Sequence, residues 1–175
     1  MRLDKFAAEK YGSRSRAAAA IGRGSVLVNG VPRQASYEVK DGDRVEYAEE
    51  SVNFVSAGGY KLFKALCDFS FDVGGKVFAD IGASTGGFTD CLLKAGARKV
   101  YCIDVGESQL DGSLLCRNVV VIDNFNARNL TADLFGEPLD GVAIDVSFIS
   151  LTYILGAVSS VLGDGGVVLA RKTAV

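Results

Sequence analysis

Five apolar runs recur along residues 76–172, and the stretches between them have helical spacing. The runs are KVFADI, KVYCIDV, NVVVID, DGVAIDVSF and GGVVLARK. Apolar strands that alternate with helices predict a doubly wound parallel sheet and therefore an α/β fold. Ligands of such sheets bind at the carboxyl ends of the strands. Since Asp80, Asp104, Asp123 and Asp145 each stand near the end of a run, we expect them to point toward one crevice.

A glycine-rich turn, DIGASTGGFTD over residues 80–90, follows the first run. Such a turn brings bare backbone close to a ligand at a helix N-terminus. Ser84 breaks the dinucleotide fingerprint, and Phe88 replaces the lysine of the phosphate-binding loop. An acid before the turn, with Asp104 to hold two ribose hydroxyls, instead suits the zwitterionic sulfonium of S-adenosylmethionine. The expected contacts of this cofactor are Asp80, Gly82, Ser84, Gly86 and Asp104, with Asp123 near the adenine.

The composition excludes several classes of protein. No apolar run approaches the ~20 residues that span a bilayer, and the N-terminus has no leader-like apolar region, so we expect a soluble, cytoplasmic chain. The four cysteines are scattered within apolar runs, which is typical of reduced core thiols rather than of a metal site. Because the chain has no histidine, acid–base chemistry must fall to Lys, Asp, Glu or Tyr.

The N-terminal part is basic, although the whole chain carries a net charge of −2. Residues 1–40 contain eight Lys or Arg against three Asp or Glu, a net charge of +5. This asymmetry predicts a basic N-terminal segment that binds a polyanion.

Within this segment, LDKFAAEKYG predicts a helix that ends at Gly12, and SRSRAAAAIGR predicts a second helix that is capped by Ser13. Asn29-Gly30 predicts a hairpin, and DGDRVEY a further turn and strand.

The segments RLDKFAAE, SRSRAAAAIGRGSVLVNG and KDGDRVEY resemble the RNA-binding domain of the ribosomal-protein-S4 type, and they cover nearly all of residues 1–48. In that family the second helix and the hairpin lie against structured RNA. The resemblance therefore implies RNA contacts from Arg14, Arg16, Arg23 and Asn29. We predict this small α+β domain over residues 1–48, a polar linker over 49–57 and a second domain over 58–175.

Motifs along the whole chain resemble the hemolysin A (TlyA) family. They are VSAGGYKLFKAL, DIGASTGGFTDCLL, YCIDVGESQL, FNARNL and IDVSFISL, in the order of the family. The resemblance implies an S4-type domain joined to an FtsJ-like domain with the Rossmann-like fold of class I methyltransferases. It implies methyl transfer from S-adenosylmethionine to a ribose 2′-hydroxyl, in known members on cytidines of ribosomal RNA. It also implies a catalytic Lys-Asp-Lys-Glu set, whose first three members here are Lys61, Asp145 and Lys172.

Lysine and aspartate suit methyl transfer to a ribose hydroxyl independently of the family resemblance. A ribose hydroxyl is a poor nucleophile, so its attack needs in-line positioning and a group that takes or steers its proton. In a chain without histidine, a lysine near another ammonium can act as that base, and Asp145 can orient it.

Two positions depart from the family pattern. Ala57 stands where the family usually has arginine, and the chain ends Lys172-Thr173-Ala174-Val175 where the family continues Lys-Pro-Gln-Phe-Glu. A one-base insertion would produce this ending, so we hypothesise a frameshifted gene, an incomplete sheet and a lost catalytic Glu. The strand around Leu169 is then expected to be a bare edge through which the chain forms a homodimer. Two alternatives stay open, namely a catalytically inactive RNA-binding protein and a pore-forming cytolysin.

Overall fold

The computed structural model describes residues 1–22, 24–47, 53–116, 118–146 and 150–171. These residues form two compact units, Met1–Asp72 and Val73–Val175. Two of the predicted site residues, Arg23 and Lys172, lie outside the described residues. The predicted loss of strands after Lys172 lies outside them as well.

The first unit combines three helices with a three-stranded antiparallel sheet. Its helices are α1 (Leu3–Tyr11), α2 (Arg14–Gly22) and α3 (Ala57–Asp68), and its strands, in the order β2-β1-β3, are β1 (Val26–Val28), β2 (Val31–Pro32) and β3 (Val45–Tyr47). Gly12 ends α1 with φ +77°, and the Ser13 hydroxyl accepts a hydrogen bond from the Arg16 N–H at the start of α2. Asn29 and Gly30 both have positive φ between β1 and β2. The predicted caps and hairpin are therefore confirmed.

The segment GGYKLFKALCDF is helical: α3 covers Ala57–Asp68 and buries Leu62 and Leu66. Its contacts group it with the first unit. That unit thus runs past the predicted linker over residues 49–57, and the predicted domain boundaries stay a prediction.

The second unit is built on a five-stranded parallel sheet in the order β6-β5-β4-β7-β8. Its strands are β4 (Val77–Ile81), β5 (Lys99–Ile103), β6 (Val119–Ile122), β7 (Leu139–Ile144) and β8 (Leu162–Ala170), and its helices are α4 (Gly87–Lys94) and α5 (Leu155–Val161). Short 3-10 turns lie at residues 112–114, 127–129, 132–134 and 151–153. The predicted α/β fold is confirmed, with one strand for each apolar run.

The first strand in sequence, β4, lies at the centre of the sheet. All five of its residues are buried, as expected for a parallel strand with both faces covered. The chain passes from β4 to β5 on one side and later returns to β7 on the other side. Such a reversal opens a crevice at the carboxyl ends of the strands, where ligands of doubly wound sheets bind.

Candidate functional site

A cavity of about 430 Å³ opens at the carboxyl ends of the strands in the second unit. Its walls come from the ends of β4, β5 and β7 and from residues 125–127, which follow β6. This volume lies in the range of small-molecule sites. The cavity brings together four of the predicted site residues, which are Gly82, Ser84, Asp104 and Asp145.

Asp104 ties the end of β5 to the glycine-rich turn. Its Oδ2 accepts a hydrogen bond from the Ser84 N–H at 2.8 Å, and its Oδ1 accepts one from the Gly106 N–H at 2.8 Å. Ser84 has φ +47°, a left-handed conformation that serine rarely adopts. Because each carboxylate oxygen has two lone pairs, Asp104 can still accept hydrogen bonds from the two hydroxyls of a ribose.

The glycines of the turn allow close packing of the backbone. Gly82 has φ +79°, and a Cβ atom there would lie 2.6 Å from the carbonyl oxygen of Asp145. Gly82 therefore lets the end of β4 pass directly beside the end of β7. A Cβ atom on Gly86 would lie 2.4 Å from Leu114 Cδ1. Gly86 begins α4 outside the cavity lining, and its contact with the cofactor stays a prediction.

Asp80 lies buried behind the cavity wall rather than in it. Its Oδ2 accepts a hydrogen bond from the Thr89 hydroxyl at 2.7 Å, whereas its Oδ1 has no partner in the part of the chain that the structure describes. Burial is the main cause that raises the pKa of Asp80 to about 7; hydrogen bonds from Thr89 oppose the rise, and the carboxylates of Asp145 and Asp104 add to it. Three carboxyl groups beside one apolar cavity form an acceptor set that fits a nucleoside with a positively charged tail.

Asp145, at the end of β7, is held by an arginine that sequence reasoning missed. Arg171 Nη1 donates hydrogen bonds to both carboxylate oxygens of Asp145, at 3.1 and 3.0 Å. The Arg171 N–H also donates to the Ile144 carbonyl at 2.9 Å, which continues the parallel pairing of β7 and β8. The position of Arg171 at the end of the last apolar run could have marked it as a site residue. Its pairing with Asp145, however, depends on the register of β8 against β7.

Residues 125–127 were also missed as a wall of the site, although they belong to the FNARNL motif. Asp123, which was predicted near the adenine, is not among the cavity-lining residues. Its Oδ2 accepts a hydrogen bond from the Ser108 N–H at 2.9 Å, so the side chain fixes the segment after β5. Its contact with the cofactor stays a prediction.

Lys61 and the predicted RNA-contacting residues lie in the first unit. Lys61 is exposed on α3, and Arg16 is exposed on α2. Arg14 donates a hydrogen bond to the buried Asp4 at 2.8 Å. Hydrogen bonds from Arg2 and Arg14 lower the pKa of Asp4 to about 2. Arg14 thus already has an anionic partner within the unit.

Asn29 uses both ends of its side-chain amide inside the first unit. Its Nδ2 donates to Asp43 Oδ1 at 2.8 Å, and its Oδ1 accepts from the Arg44 N–H at 2.8 Å. These bonds tie the hairpin turn to the segment before β3. The roles of Arg14, Arg16 and Asn29 in RNA binding stay predictions.

Comparison with known proteins divides the chain between residues 45 and 54. Residues 54–173 match the FtsJ-like methyltransferase family, and residues 1–45 match the S4 domain. Hemolysin A of Brachyspira hyodysenteriae is 46% identical over 159 residues, which cover 88% of this chain and 66% of that protein. The 16S/23S rRNA (cytidine-2'-O)-methyltransferase TlyA of Mycobacterium tuberculosis is 43% identical over 150 residues, which cover 83% of this chain and 55% of that protein.

A solved structure named as a hemolysin, from Streptococcus thermophilus, superposes with a TM-score of 0.67 at 37% identity and covers 97% of this chain and 64% of that one. The chain spans about half to two thirds of the length of the curated relatives it matches. The resemblance drawn from the motifs is confirmed: the chain belongs to the FtsJ-like methyltransferase family and, within it, to the hemolysin A/TlyA proteins.

Proposed function

We propose that this chain transfers a methyl group from S-adenosylmethionine to a ribose 2′-hydroxyl of ribosomal RNA, with cytidine as the target nucleoside. The observation that carries the proposal is the cavity at the strand ends, where Asp104, the glycine-rich turn and Asp145 meet. The S4-domain match and the name of the Mycobacterium tuberculosis relative support RNA, and ribosomal RNA in particular, as the substrate. A chain that modifies ribosomal RNA works in the cytoplasm.

The residues of the cavity divide the binding of the cofactor between them. S-adenosylmethionine would supply an electrophilic methyl group carried on a sulfonium sulfur. Asp104 accepts hydrogen bonds from its ribose hydroxyls, and the exposed Val105 with Phe125 offers an apolar wall to its adenine. The Asp145 carboxylate at the cavity wall favours its positive charge, an effect that the ion pair with Arg171 reduces. Asp80 is a predicted contact from behind that wall. Gly86 and Asp123 complete the predicted set at the edges of the site.

The chain must also handle the proton of the ribose hydroxyl. In our proposal Lys61 takes or steers this proton, and Asp145 and Lys172 complete the catalytic set. With histidine absent, acid–base chemistry falls to Lys, Asp, Glu or Tyr. We also propose that Arg14, Arg16, Arg23 and Asn29 of the S4 domain bind the RNA substrate.

Methyl transfer from radiolabelled S-adenosylmethionine to isolated ribosomal subunits tests the proposal. Label that is recovered in 2′-O-methylcytidine is the expected result. RNA binding without any transfer would instead indicate the inactive RNA-binding alternative.

The Asp104→Ala variant tests the cofactor site by itself. It removes a charged acceptor, and such hydrogen bonds contribute about 1.5–3 kcal/mol. Calorimetry should therefore show affinity for S-adenosylhomocysteine reduced at least about tenfold. An unchanged affinity would contradict the assigned role of Asp104.

A cytolysin remains the second candidate because one relative is named hemolysin A. Among the described residues no helix is both long enough and apolar enough to cross a bilayer. Leakage of dye from liposomes at low protein concentration would favour this function. Leakage that is absent while methyl transfer proceeds would remove it.

We also propose that copies of the chain pair through β8. This strand is the last one on its side of the described sheet, and it carries the apolar residues Val167, Val168 and Leu169. Edge strands with unpaired backbone groups are templates for pairing with another chain.

A further inference from the structure

An arginine and a tyrosine stack on each other at the surface of the second unit. The Arg128 guanidinium carbon lies 4.9 Å from the centre of the Tyr153 ring. Arg128 belongs to the 3-10 turn at 127–129 and Tyr153 to the 3-10 turn at 151–153. Neither Arg128 nor Tyr153 has a part in the function proposed so far.

This stack lies beside the cofactor cavity. Asn126 and Ala127 line the cavity and directly precede Arg128, while Ile154 lines it and directly follows Tyr153. Hydrogen bonds donated by backbone N–H groups hold both turns. The Arg128 N–H donates to the Asn126 side chain at 3.0 Å, and the Tyr153 N–H donates to the Ser150 carbonyl at 3.0 Å.

The Tyr153 ring is unusually open for a ring that carries a cation. The rings of Tyr37, Tyr47 and Tyr101 also lie under a cationic side chain, but these residues are partly or fully buried. Tyr153 is 65% exposed. Among the described residues, much of the ring that Arg128 does not cover is therefore open to solvent.

A flat aromatic face backed by a guanidinium group has a specific use in nucleic-acid binding. Unpaired bases stack on aromatic rings, and arginine adds a cation–π contribution and hydrogen bonds to phosphate. An exposed cation–π pair stabilises a fold by only a small amount, so fold stability alone does not require this stack. Because the S4-domain match and the proposed function point to RNA, single-stranded RNA is the partner that this surface fits.

We infer that Arg128 and Tyr153 form a stacking platform for an unpaired nucleotide of the RNA substrate, beside the cavity that receives the methyl donor. This inference rests on the proposed function, and it adds a specific RNA contact on the methyltransferase domain. Tyr153 stacks on the base, and Arg128 fixes the ring and contacts a neighbouring phosphate.

The absence of tryptophan from the chain allows a direct test. Tyr153→Trp introduces a single fluorescent reporter at the platform, and single-stranded polycytidylate is the probe. Stacking of a base should quench this fluorescence, whereas double-stranded RNA should leave it unchanged. Leu115→Trp, at a residue of the same unit that is 63% exposed and outside the cavity lining, is the matched reporter and should not respond.

Affinity measurements complete the test. Tyr153→Leu should weaken polycytidylate binding about tenfold, while Tyr153→Phe, which keeps the ring, should bind as the unaltered chain does. Arg128→Gln should reduce the salt slope of binding by about 0.7. All three variants should keep their affinity for S-adenosylhomocysteine, which verifies that they are folded.

The possible outcomes separate failure of the stacking platform from failure of the proposed function. If the unaltered chain binds polycytidylate but Tyr153→Trp is not quenched, or if Tyr153→Leu binds normally, the platform is refuted and the proposed function stands. A parallel loss of S-adenosylhomocysteine binding in Tyr153→Leu but not in Tyr153→Phe would assign the ring a structural role instead. If the unaltered chain binds neither polycytidylate nor ribosomal RNA, the proposed function and the platform are refuted together.

Discussion

At the scale of single residues, burial and hydrogen bonding separate acids that look alike in the sequence. Asp80 and Asp104 both end apolar runs, yet Asp80 is fully buried with an unpartnered Oδ1, and Asp104 accepts backbone hydrogen bonds on both oxygens. The sequence predicts both as ligands because both stand at strand ends. Burial, which raises the pKa of Asp80, depends on the packing of α4 against the sheet, and a linear pattern does not contain that information.

The Asp80→Asn variant should remove a pH dependence of stability. Burial raises the pKa of Asp80 from the ordinary 3.8 to about 7, so only the unfolded chain loses the proton between about pH 4 and 7. The unfolding free energy of the unaltered chain should therefore fall relative to that of the variant by up to about 1.4 kcal/mol per pH unit over this range. Urea unfolding of both proteins between pH 5 and 8 measures this difference, and a difference that is constant with pH would show that Asp80 is ionised throughout.

Arg171 should control the charge that Asp145 presents to the cavity. Its guanidinium group neutralises the carboxylate of Asp145. The positive charge of Arg171 therefore disfavours the binding of a sulfonium cation more than it disfavours the binding of a neutral thioether. Arg171→Gln should raise the affinity for S-adenosylmethionine relative to S-adenosylhomocysteine by about two- to fivefold. Arg98→Gln makes the same charge change before β5, where Arg98 pairs with Glu137, and should leave the ratio unchanged. Equal ratios in all three proteins would exclude a role for Arg171 in this balance.

At the scale of elements, the sequence predicts most of what the structure contains. The five apolar runs are β4 to β8, and the glycine-rich turn joins β4 to α4. These elements have local causes, namely apolar runs, caps and glycines. The contact between Arg171 and Asp145 and the stack of Arg128 on Tyr153 have no local cause, because each joins residues that are distant in sequence and that only the folded chain brings together.

Gly82→Ala should lower the unfolding free energy far more than the same substitution at a glycine with free space around it. Gly75 and Gly82 both have φ between +70° and +79°, but a Cβ atom on Gly75 meets nothing within 4 Å, while one on Gly82 would lie 2.6 Å from the Asp145 carbonyl. Gly75→Ala should therefore cost only the conformational term of about 1–2 kcal/mol. Gly82→Ala should destabilise the fold further and weaken S-adenosylhomocysteine binding, as thermal unfolding and calorimetry can measure. Equal costs at the two positions would mean that the end of β7 yields to the added methyl group.

At the scale of the whole molecule, two strands end the described sheet, and they differ in length. β6 covers only Val119–Ile122, whereas β8 covers Leu162–Ala170. A shorter edge offers fewer backbone groups to another chain than a longer edge does. The longer edge, β8, is therefore the surface through which we expect self-association.

Two matched variants test this expectation. Val168 on β8 and Val121 on β6 are each 38% exposed, so lysine can replace either one with similar disturbance of the core. A lysine on an edge strand places like charges opposite each other when two copies pair. Val168→Lys should raise the dissociation constant of the dimer, measured by sedimentation equilibrium, at least about tenfold, and Val121→Lys should leave it unchanged. A chain that sediments as a monomer at every concentration would refute pairing through β8. Dissociation of the dimer by Val121→Lys alone would instead place the interface at β6. The shorter strand would then need side-chain contacts, in addition to backbone hydrogen bonds, to hold two copies together.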